Sequence, residues 1–534
     1  MVFLPWLLSA QYASGIMIPD TTQAIVSDTD DMAVMLAQSI TAKDLRRHLT
    51  VLASDEYEGR ETGQKGNELA ASYIAQQFKN HALPTIGEDN SYYQGVAFNK
   101  TGWKKNTVSI NAKEYKHLWD YLAFASLNEG MPYVESDEVV FLGYGIDDLR
   151  YSDYGSKDLR GKIIMINEGE PLNADGRSYV TGSTEVSEWS TDPYKKLSVA
   201  KKRGVKLVLI ISNDLKTFLG ENRRFLISPR LQLGDGNYVT DYANHAYIST
   251  TIAKEIIGKK EKKMKRWRKK NLSKGKSKPL SLDTDLALTF DKEVDVIKGN
   301  NVLGYIEGTD KKDELVIISA HYDHLGKTGS DIYNGADDNG SGTSSVLEMA
   351  EAFSMAKELG AGPRRSVLCL MVTGEEKGLL GSEYYSENPI FPIASTVANV
   401  NIDMVGRVDE KYKDNPNYIY VIGSDRLSSD LHVINESVNQ KYSQITLDYQ
   451  YNDENDPNRY YFRSDHYNFA RKGIPAIFFF NGTHEDYHRI TDTVDKINFE
   501  KMEKVSRHFF HTAWELANRD ERIIVDGEVI EGGR

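Results

Sequence analysis

Apolar residues in the first part of the chain recur at helical spacing. They repeat every three or four positions in S-I-T-A-K-D-L-R-R-H-L-T-V-L and again in N-E-L-A-A-S-Y-I-A-Q-Q-F-K. This is the period of an α-helix with one buried face, and Thr41 stands where an N-cap residue is expected. The turn-rich S-D-E-Y-E-G-R-E-T-G-Q-K-G separates the two segments. The pattern therefore predicts two amphipathic helices between residues 41 and 87.

From about residue 300 onward, short continuous apolar runs alternate with helical patterns. The runs are L-V-I-I-S-A (315–320), S-V-L-C-L-M-V (366–372), V-A-N-V-N-I (397–402), Y-I-Y-V-I (418–422) and A-I-F-F-F (476–480). Unbroken apolar runs are typical of strands buried on both faces, and residues 341–353 have helical spacing. The pattern predicts an α/β fold with a largely parallel sheet covered by helices. In such sheets, sites form at the carboxyl ends of the strands.

The stretch between these two parts is predicted to consist mainly of short strands. It contains the predicted strands E-V-V-F-L-G-Y-G-I, G-K-I-I-M-I-N-E-G, K-L-V-L-I-I-S and L-A-L-T-F, with few helical patterns between them. We interpret residues 135–289 as a β-rich module inserted into a catalytic domain formed by residues 36–134 and 290–534. A length of 534 residues agrees with two or three domains.

Charge is unevenly distributed along the chain, whose net charge is −13. Residues 254–278 contain 13 Lys or Arg against two Glu, so the rest of the chain is strongly acidic. An acidic body argues against general binding of nucleic acid. The Lys-rich stretch at 259–278 could bind a polyanion or an anionic surface, but a solvated loop or helix extension is the more common explanation of such a run.

The first residues, M-V-F-L-P-W-L-L-S-A-Q-Y-A-S-G, form a short apolar patch without a basic segment before it. We interpret residues 1–35 as an N-terminal leader or the remnant of a signal peptide, which would make the protein secreted or periplasmic. No other stretch approaches the roughly 20 apolar residues of a membrane span. The one cysteine, Cys369, lies in an apolar run and is predicted to be a buried, inert thiol.

Residues of metal-binding types occur at the predicted strand ends and in a Gly-rich loop. They are His321 in S-A-H-Y-D-H, Asp338 in G-A-D-D-N-G-S-G, Glu376 in T-G-E-E-K-G, Asp403 in N-I-D-M-V-G and His488 in Y-H-R-I-T-D-T. Two imidazoles and three carboxylates are a suitable donor set for two zinc-like ions. Two ions roughly 3.5–4 Å apart can activate one water between them, which predicts a hydrolase.

Further acidic residues stand beside this set. Asp323 follows His321 by two positions and is predicted to accept a hydrogen bond from the free imidazole nitrogen. Because Glu375 precedes Glu376, one carboxylate can bind metal while the other takes a proton from water. Asp337 beside Asp338 could be only a residue of a solvated turn. Taken singly, each of these residues is more often structural, and it is the ordered set that favours a site.

The ordered motifs resemble those of the dizinc aminopeptidase family, which includes secreted bacterial aminopeptidases, yeast aminopeptidase Y and glutamate carboxypeptidase. The likeness covers about residues 300–500, and A-S-D-E-Y-E-G-R-E-T-G is similar to the N-terminal part of those enzymes. The insert resembles a protease-associated domain through V-V-F-L-G-Y-G-I and A-K-K-R-G-V-K-L-V-L-I-I-S. The resemblance implies a mixed, mostly parallel sheet between helices, with the β-rich domain inserted.

The resemblance also implies a role for each residue of the set. Two Zn²⁺ ions would be bridged by Asp338, with His321 and Asp403 completing one ion and Glu376 and His488 completing the other. Glu375 would be the general base, and Asp323 would orient His321.

Two finer features follow from the same family. A cis peptide bond is implied between Asp338 and Asn339. Tyr487, next to His488, would help to stabilise the oxyanion of the tetrahedral intermediate.

The function that the resemblance implies is an aminopeptidase acting on peptides, with the protease-associated domain contributing to substrate selection. A carboxypeptidase or dipeptidase is the alternative within the family, for which Arg459 and Arg463 could bind a C-terminal carboxylate. A receptor-like binding protein is disfavoured because such relatives lose metal ligands, and here every expected ligand type is present. Glutaminyl cyclisation by a related one-zinc fold is disfavoured by the insert.

Overall fold

The computed structural model describes residues 29–227, 230–236, 240–272 and 278–529. The chain forms two compact units, the first comprising the residues up to Ala97 together with those from Lys298 onward, and the second Phe98–Ile297. Most of the predicted leader lies outside the described residues, but Thr29–Ala37 is a helix whose Met32 and Leu36 belong to the core of the first unit. None of the described helices is long and apolar enough to cross a membrane.

The helices are numbered in chain order. They are α1 (Thr29–Ala37), α2 (Ala42–Leu52), α3 (Lys65–Asn80), α4 (Glu188–Thr191), α5 (Pro193–Lys202), α6 (Leu215–Ile227), α7 (Thr250–Ile257), α8 (Glu261–Leu272), α9 (Gly342–Glu358), α10 (Leu380–Glu387), α11 (Ser429–Val438), α12 (His466–Ala470) and α13 (Phe499–Asn518).

The strands are numbered in the same way. They are β1 (Tyr93–Ile110), β2 (Lys113–Tyr115), β3 (Tyr121–Leu122), β4 (Met131–Phe141), β5 (Ile163–Asn167), β6 (Leu207–Ser212), β7 (Arg230–Leu233), β8 (His245–Ser249), β9 (Leu280–Ile306), β10 (Lys311–His321), β11 (Gly326–Thr328), β12 (Asp331–Tyr333), β13 (Arg365–Val372), β14 (Thr396–Ile402), β15 (Tyr418–Ile422), β16 (Thr446–Asp448) and β17 (Ala476–Phe480).

The first unit is built on a mixed sheet with the strand order β16-β15-β17-β14-β10-β13-β9. Its centre is parallel, because β10 pairs in parallel with both β13 and β14, and β14 pairs in parallel with β17. The last five paired residues of β9 run antiparallel to β13, and β15 runs antiparallel to β17. The prediction of a mostly parallel sheet flanked by helices is confirmed.

Alternate residues of the central strands enter two separate cores. In β10, Val316 and Ile318 pack into one cluster, whereas Ile317 packs into the cluster on the other face. Cys369 in β13 is fully buried in the first of these clusters, where burial raises the pKa of its thiol. Both faces of the sheet are therefore covered, which explains why these strands are unbroken apolar runs.

The two predicted N-terminal helices are present as α2 and α3. The Thr41 hydroxyl caps α2 by accepting a hydrogen bond from the Asp44 amide at 3.1 Å. The apolar positions that gave the helical period, Leu45, Leu49 and Leu52, are all fully buried. Capping and one-sided burial thus agree with the sequence pattern.

The second unit contains the predicted insert, residues 135–289, together with residues 98–134 and 290–297. Its sheet has the order β9-β4-β5-β6-β8-β3, in which β4, β5, β6 and β8 are parallel neighbours. It also contains helices α4–α8, so helices take a larger part than the sequence pattern indicated. The predicted strand over 138–146 ends at Phe141, because the chain turns through Gly143 and Gly145 at φ of 66° and 70°.

The Lys-rich stretch is largely helix α8. Met264 is buried and Trp267 is half-buried, with the Trp267 ring 4.9 Å from that of Phe141, whereas the Lys and Arg side chains around them are exposed. A helix with an apolar stripe toward its core and cations toward water is stable without any anionic partner. Residues 273–277 of this stretch lie outside the described residues.

The buried side chain of Arg60 holds loops of the first unit together through hydrogen bonds. Its side chain is 1% exposed and donates to the carbonyl oxygens of Leu52, Tyr322, Asn334 and Gly335 at 2.6–2.8 Å. Burial lowers the pKa of Arg60 to about 10, so the guanidinium stays charged at neutral pH. One buried cation thus holds together the segments on which His321 and Asp338 stand.

We expect Arg60→Met to lower the free energy of unfolding by about 3–5 kcal/mol, because it removes a buried charge among carboxylates and leaves carbonyl acceptors without donors. Lys79→Met, which changes an exposed cation of the same unit, should stay within about 0.5 kcal/mol of the parent. Urea unfolding followed by fluorescence measures both. Equal effects of the two substitutions would contradict the role of Arg60.

Candidate functional site

The parallel strands bring distant residues to one edge of the sheet. His321 is the last residue of β10, Asp403 follows β14 directly, and Glu375 and Glu376 follow β13 by a few residues. His488 lies in the loop after β17. Because the carboxyl ends of neighbouring parallel strands meet at the same edge, residues separated by more than 150 positions become neighbours.

Asp338 reaches the same edge from the short turn Ala336–Ser341, which leads into α9. The peptide bond between Asp338 and Asn339 is cis, as the family resemblance implied. The main-chain amides of Asp337 and Asp338 both donate to the Asp492 carboxylate, at 3.0 and 3.2 Å. These contacts fix the direction of the Asp338 side chain.

Two groups of donor atoms share the Asp338 carboxylate. In the first, His321 Nε2 lies 3.4 Å from Asp403 Oδ1 and 3.5 Å from Asp338 Oδ1. In the second, His488 Nε2 lies 3.1 Å from Asp338 Oδ2 and 3.5 Å from Glu376 Oε1. All five residues predicted as ligands are therefore gathered in one place, with the two oxygens of Asp338 facing different groups.

These distances suit metal coordination. Ligand atoms about 2.0–2.2 Å from a tetrahedral ion lie about 3.3–3.6 Å from one another. Three of the four distances, 3.4, 3.5 and 3.5 Å, fall in this interval, and the fourth, from His488 Nε2 to Asp338 Oδ2, is 3.1 Å and within hydrogen-bond range. Asp403 Oδ1 is buried and makes no hydrogen bond within the described residues, although such an atom normally finds a partner. The donor set thus fits two divalent cations.

His324 is a member of the cluster that the sequence analysis missed. Its Nδ1 lies 2.8 Å from Glu376 Oε1 and 3.8 Å from Asp338 Oδ2, and its side chain is fully buried. The first distance is that of a hydrogen bond and is shorter than the separation of two ligands on one ion. His324, Asp338 and Glu376 offer donor atoms close enough to one another for one ion, and His488 lies 3.1 and 3.5 Å from the same two carboxylates. The signal was present in the sequence as the second histidine of H-Y-D-H.

Asp323 and Glu375 lie beside the first group. Glu375 Oε2 is 3.8 Å from His321 Nε2, outside hydrogen-bond range. The Asp323 carboxylate accepts hydrogen bonds from the Thr62 hydroxyl at 2.8 Å and from the Glu375 amide at 3.2 Å. Both carboxylate oxygens of Asp323 are engaged in these contacts. His321 Nδ1 lies nearest to the main-chain oxygen of Asp323, at 3.1 Å, and is 3.7 Å from the Asp323 carboxylate.

Other buried polar residues support the carboxylates, and no sequence motif pointed to this role. Ser464 donates to Asp403 Oδ2 at 2.7 Å and is itself held by Asn401 at 2.8 Å. Asp337 is not a solvated turn residue but is fully buried, where its carboxylate accepts from the Gly406 amide at 2.7 Å and lies 3.1 Å from His484 Nε2. These contacts hold the carboxylates and the loops that carry them.

The electrostatics of the two adjacent glutamates differ. Burial raises the pKa of Glu375 well above its usual range, and the charge of Glu376 acts in the same direction. Burial also disfavours ionised Glu376, but hydrogen bonds with His324 and His488 outweigh it and hold the pKa well below the usual range. Burial lowers the pKa of His488, whereas its bonds with Asp338 and Glu376 raise it, to about 10 overall.

An aromatic pocket opens beside the donor groups. Its wall is formed by Met404, Tyr460, Phe478, Phe480 and Tyr487, with Arg463 among the lining residues. The Tyr487 ring stacks on His488 with centroids 3.9 Å apart. Of the two arginines considered as carboxylate binders, Arg463 lines this pocket, whereas Arg459 lines another cavity together with Asp453, Glu454 and Asp456.

Curated sequences similar to this chain include peptidases of two kinds. A probable leucine aminopeptidase of Trichophyton verrucosum is 28% identical over 214 residues, which are 39% of this chain and 55% of that protein. A probable glutamate carboxypeptidase of Arabidopsis thaliana is 36% identical over 117 residues, 22% of this chain and 16% of that protein. The chain therefore spans about half or less of the length of these relatives.

Among solved structures, an aminopeptidase from Aneurinibacillus sp. strain AM-1 has a similar fold. The similarity covers 93% of this chain and 98% of that one, with a TM-score of 0.50 and 20% sequence identity. The sequence profile of peptidase family M28 matches residues 301–513, a stretch that contains every residue of the two donor groups. Residues 301–513 thus form a domain of peptidase family M28.

Proposed function

We propose that the protein is a metal-dependent exopeptidase, an aminopeptidase that removes N-terminal residues from peptides, with zinc as its resident ion. The observation that carries the proposal is the pair of donor groups that share Asp338. Membership of the matched domain in a peptidase family and the names of its relatives support the same reaction class. Further support comes from the neighbouring pocket, whose position beside the donor groups suits the first side chain of a peptide.

In this proposal, His321, Asp403 and one oxygen of Asp338 would hold one ion, and the other oxygen of Asp338 with Glu376 and His488 would hold the second. When bound, the ions supply Lewis acidity that makes water nucleophilic at neutral pH and polarises the scissile carbonyl. His324 acts as a positioning residue, since its hydrogen bond fixes Glu376 Oε1 toward the second group.

Glu375 is the proton carrier. Its carboxylate accepts a proton from the attacking water and later delivers it to the leaving amine. Burial raises the pKa of Glu375, which strengthens its affinity for the proton that it takes from water. The Asp323 carboxylate fixes the main chain at Glu375, and the Tyr487 hydroxyl would be the donor to the developing oxyanion.

A carboxypeptidase is the second candidate, favoured by Arg463 in the pocket wall and by the glutamate carboxypeptidase among the relatives. We further propose that the second unit is a protease-associated domain that contributes to substrate selection, and that the protein is exported. Both proposals rest on the sequence resemblance and on the apolar first residues.

The proton-carrier role predicts opposite outcomes for two adjacent substitutions. Glu375→Gln should lower kcat by about 10²–10⁴-fold while the metal content stays that of the parent, because the amide cannot accept a proton. Glu376→Gln should lower the metal content itself, because a ligand charge is lost. Steady-state kinetics with elemental analysis of the same samples measure both effects. Loss of metal from Glu375→Gln would make Glu375 a ligand instead.

Metal removal tests the two donor groups. Dialysis against a chelator should abolish peptide hydrolysis and lower the midpoint of thermal unfolding, because buried carboxylates then repel one another without cations. Adding zinc should restore both, and titration should saturate at two ions per chain. Saturation at one ion would contradict the sharing of Asp338.

Substrates with one blocked end show from which end the protein cleaves a peptide. A panel of aminoacyl-p-nitroanilides should be hydrolysed, and acetylation of the amino group should abolish the reaction, because an aminopeptidase needs the free amine. Acyl-dipeptides with a free C-terminus are the comparison. Hydrolysis of the acyl-dipeptides alone would replace the aminopeptidase proposal with the carboxypeptidase one.

A further inference from the structure

Arg463 lines the pocket beside the donor groups, together with acidic, aromatic and imidazole side chains. The charged residues that line the pocket with it include Asp338, Glu375 and Asp403. Arg463 lies two residues before the buried Asp465, and its neighbour Ser464 holds Asp403, so its main chain is tied to the site. A guanidinium at this position has no role in the proposed metal binding, because arginine stays protonated and has no acceptor atom.

Two tyrosines orient this side chain. The Arg463 Cζ lies 4.8 Å from the centroid of the Tyr460 ring, and its Nη2 lies 3.5 Å from the Tyr487 hydroxyl. Tyr460 and Tyr487 are both wall residues of the pocket, and the Tyr487 ring stacks on His488. Aromatic stacking of this kind restricts the guanidinium while leaving its edge free to donate.

The donors of Arg463 are largely unused. Arg463 is exposed to solvent, no ion pair to a described carboxylate is found for it, and its side-chain hydrogen bond among the described residues is the long, 3.5 Å contact to Tyr487. Arg459 differs, because its cavity is lined by three acidic side chains of its own. A guanidinium that rests on an aromatic ring and has no acidic partner among the described residues can donate its planar fork to a carboxylate.

We propose that Arg463 binds a carboxylate of the substrate at the metal pocket, so that the preferred substrates are peptides carrying a negative charge next to the scissile bond. The carboxylate has two sources, the side chain of an acidic terminal residue or the terminal α-carboxylate of a very short peptide. This inference rests on the proposed peptidase function, and it narrows the substrate class of the same site.

Matched substrate pairs test the proposal and distinguish the two sources of the carboxylate. Glu-p-nitroanilide and Gln-p-nitroanilide differ in the side-chain carboxylate, whereas the dipeptide Ala-Leu and its amide differ in the terminal one. In one of these pairs the parent should favour the charged member at least about 10-fold in kcat/KM, as expected for charge-assisted hydrogen bonds. The pair that shows the preference identifies the source.

Arg463→Met should bring the ratio within that pair close to one, mainly by raising KM for the charged member, and Arg463→Lys should restore part of it. Arg459→Met is the matched control and should keep the ratio of the parent. If Arg463 only covers Tyr460, its replacement lowers kcat/KM equally for both substrates of the pair. The ratio then persists, which overturns the proposal. A parent without preference in either pair overturns it as well.

A binding measurement separates this proposal from the peptidase function. Calorimetry with glutarate and glutaramide on the zinc-loaded protein should show tighter binding of glutarate, and Arg463→Met should weaken it at least about 10-fold. If no peptide of any pair is hydrolysed, the peptidase function fails, whereas the calorimetry still decides whether Arg463 binds a carboxylate. Equal glutarate affinity of the parent and Arg463→Met overturns the inference.

Discussion

The constraint on which the site depends is the repulsion among buried carboxylates at one sheet edge. Asp323, Asp338, Glu375, Glu376 and Asp403 lie around three imidazoles, and their side chains are nearly all removed from water. Grouping negative charges in a poorly solvated place is costly unless cations or protons compensate. Arg60 supplies one positive charge nearby, which interacts with Asp338, Asp323 and Glu376.

The main lines of this arrangement could be predicted from the sequence because they depend on strand ends. A continuous apolar run that ends in His321, or in Asp403, identifies both the strand and the residue that leaves it. Parallel pairing then forces such ends together, without any knowledge of side-chain contacts. Glu376 and His488 stand further from their strands, and the ordered set of five donor residues, rather than a strand end alone, predicted that they belong to the cluster.

The remaining residues could not be predicted because their importance depends on what they contact. Nothing in the local sequence distinguishes Ser464 from an ordinary serine, and only the packed structure brings its hydroxyl to Asp403. Asp337 looked like a turn residue, but its burial and its bond with the Gly406 amide make it a support of the loop. Proximity in sequence also misled, because Arg459 and Arg463 line different cavities.

Glu375 and Glu376 illustrate how position decides chemistry. They are identical side chains on consecutive residues, and both are buried, so desolvation alone would make both reluctant to ionise. Only Glu376 receives hydrogen bonds from two imidazoles, which favour its charged form. Glu375 instead faces other carboxylates and therefore retains a proton more readily. Two like groups whose pKa values are driven apart can divide the work, with one suited to bind a cation and the other to exchange protons.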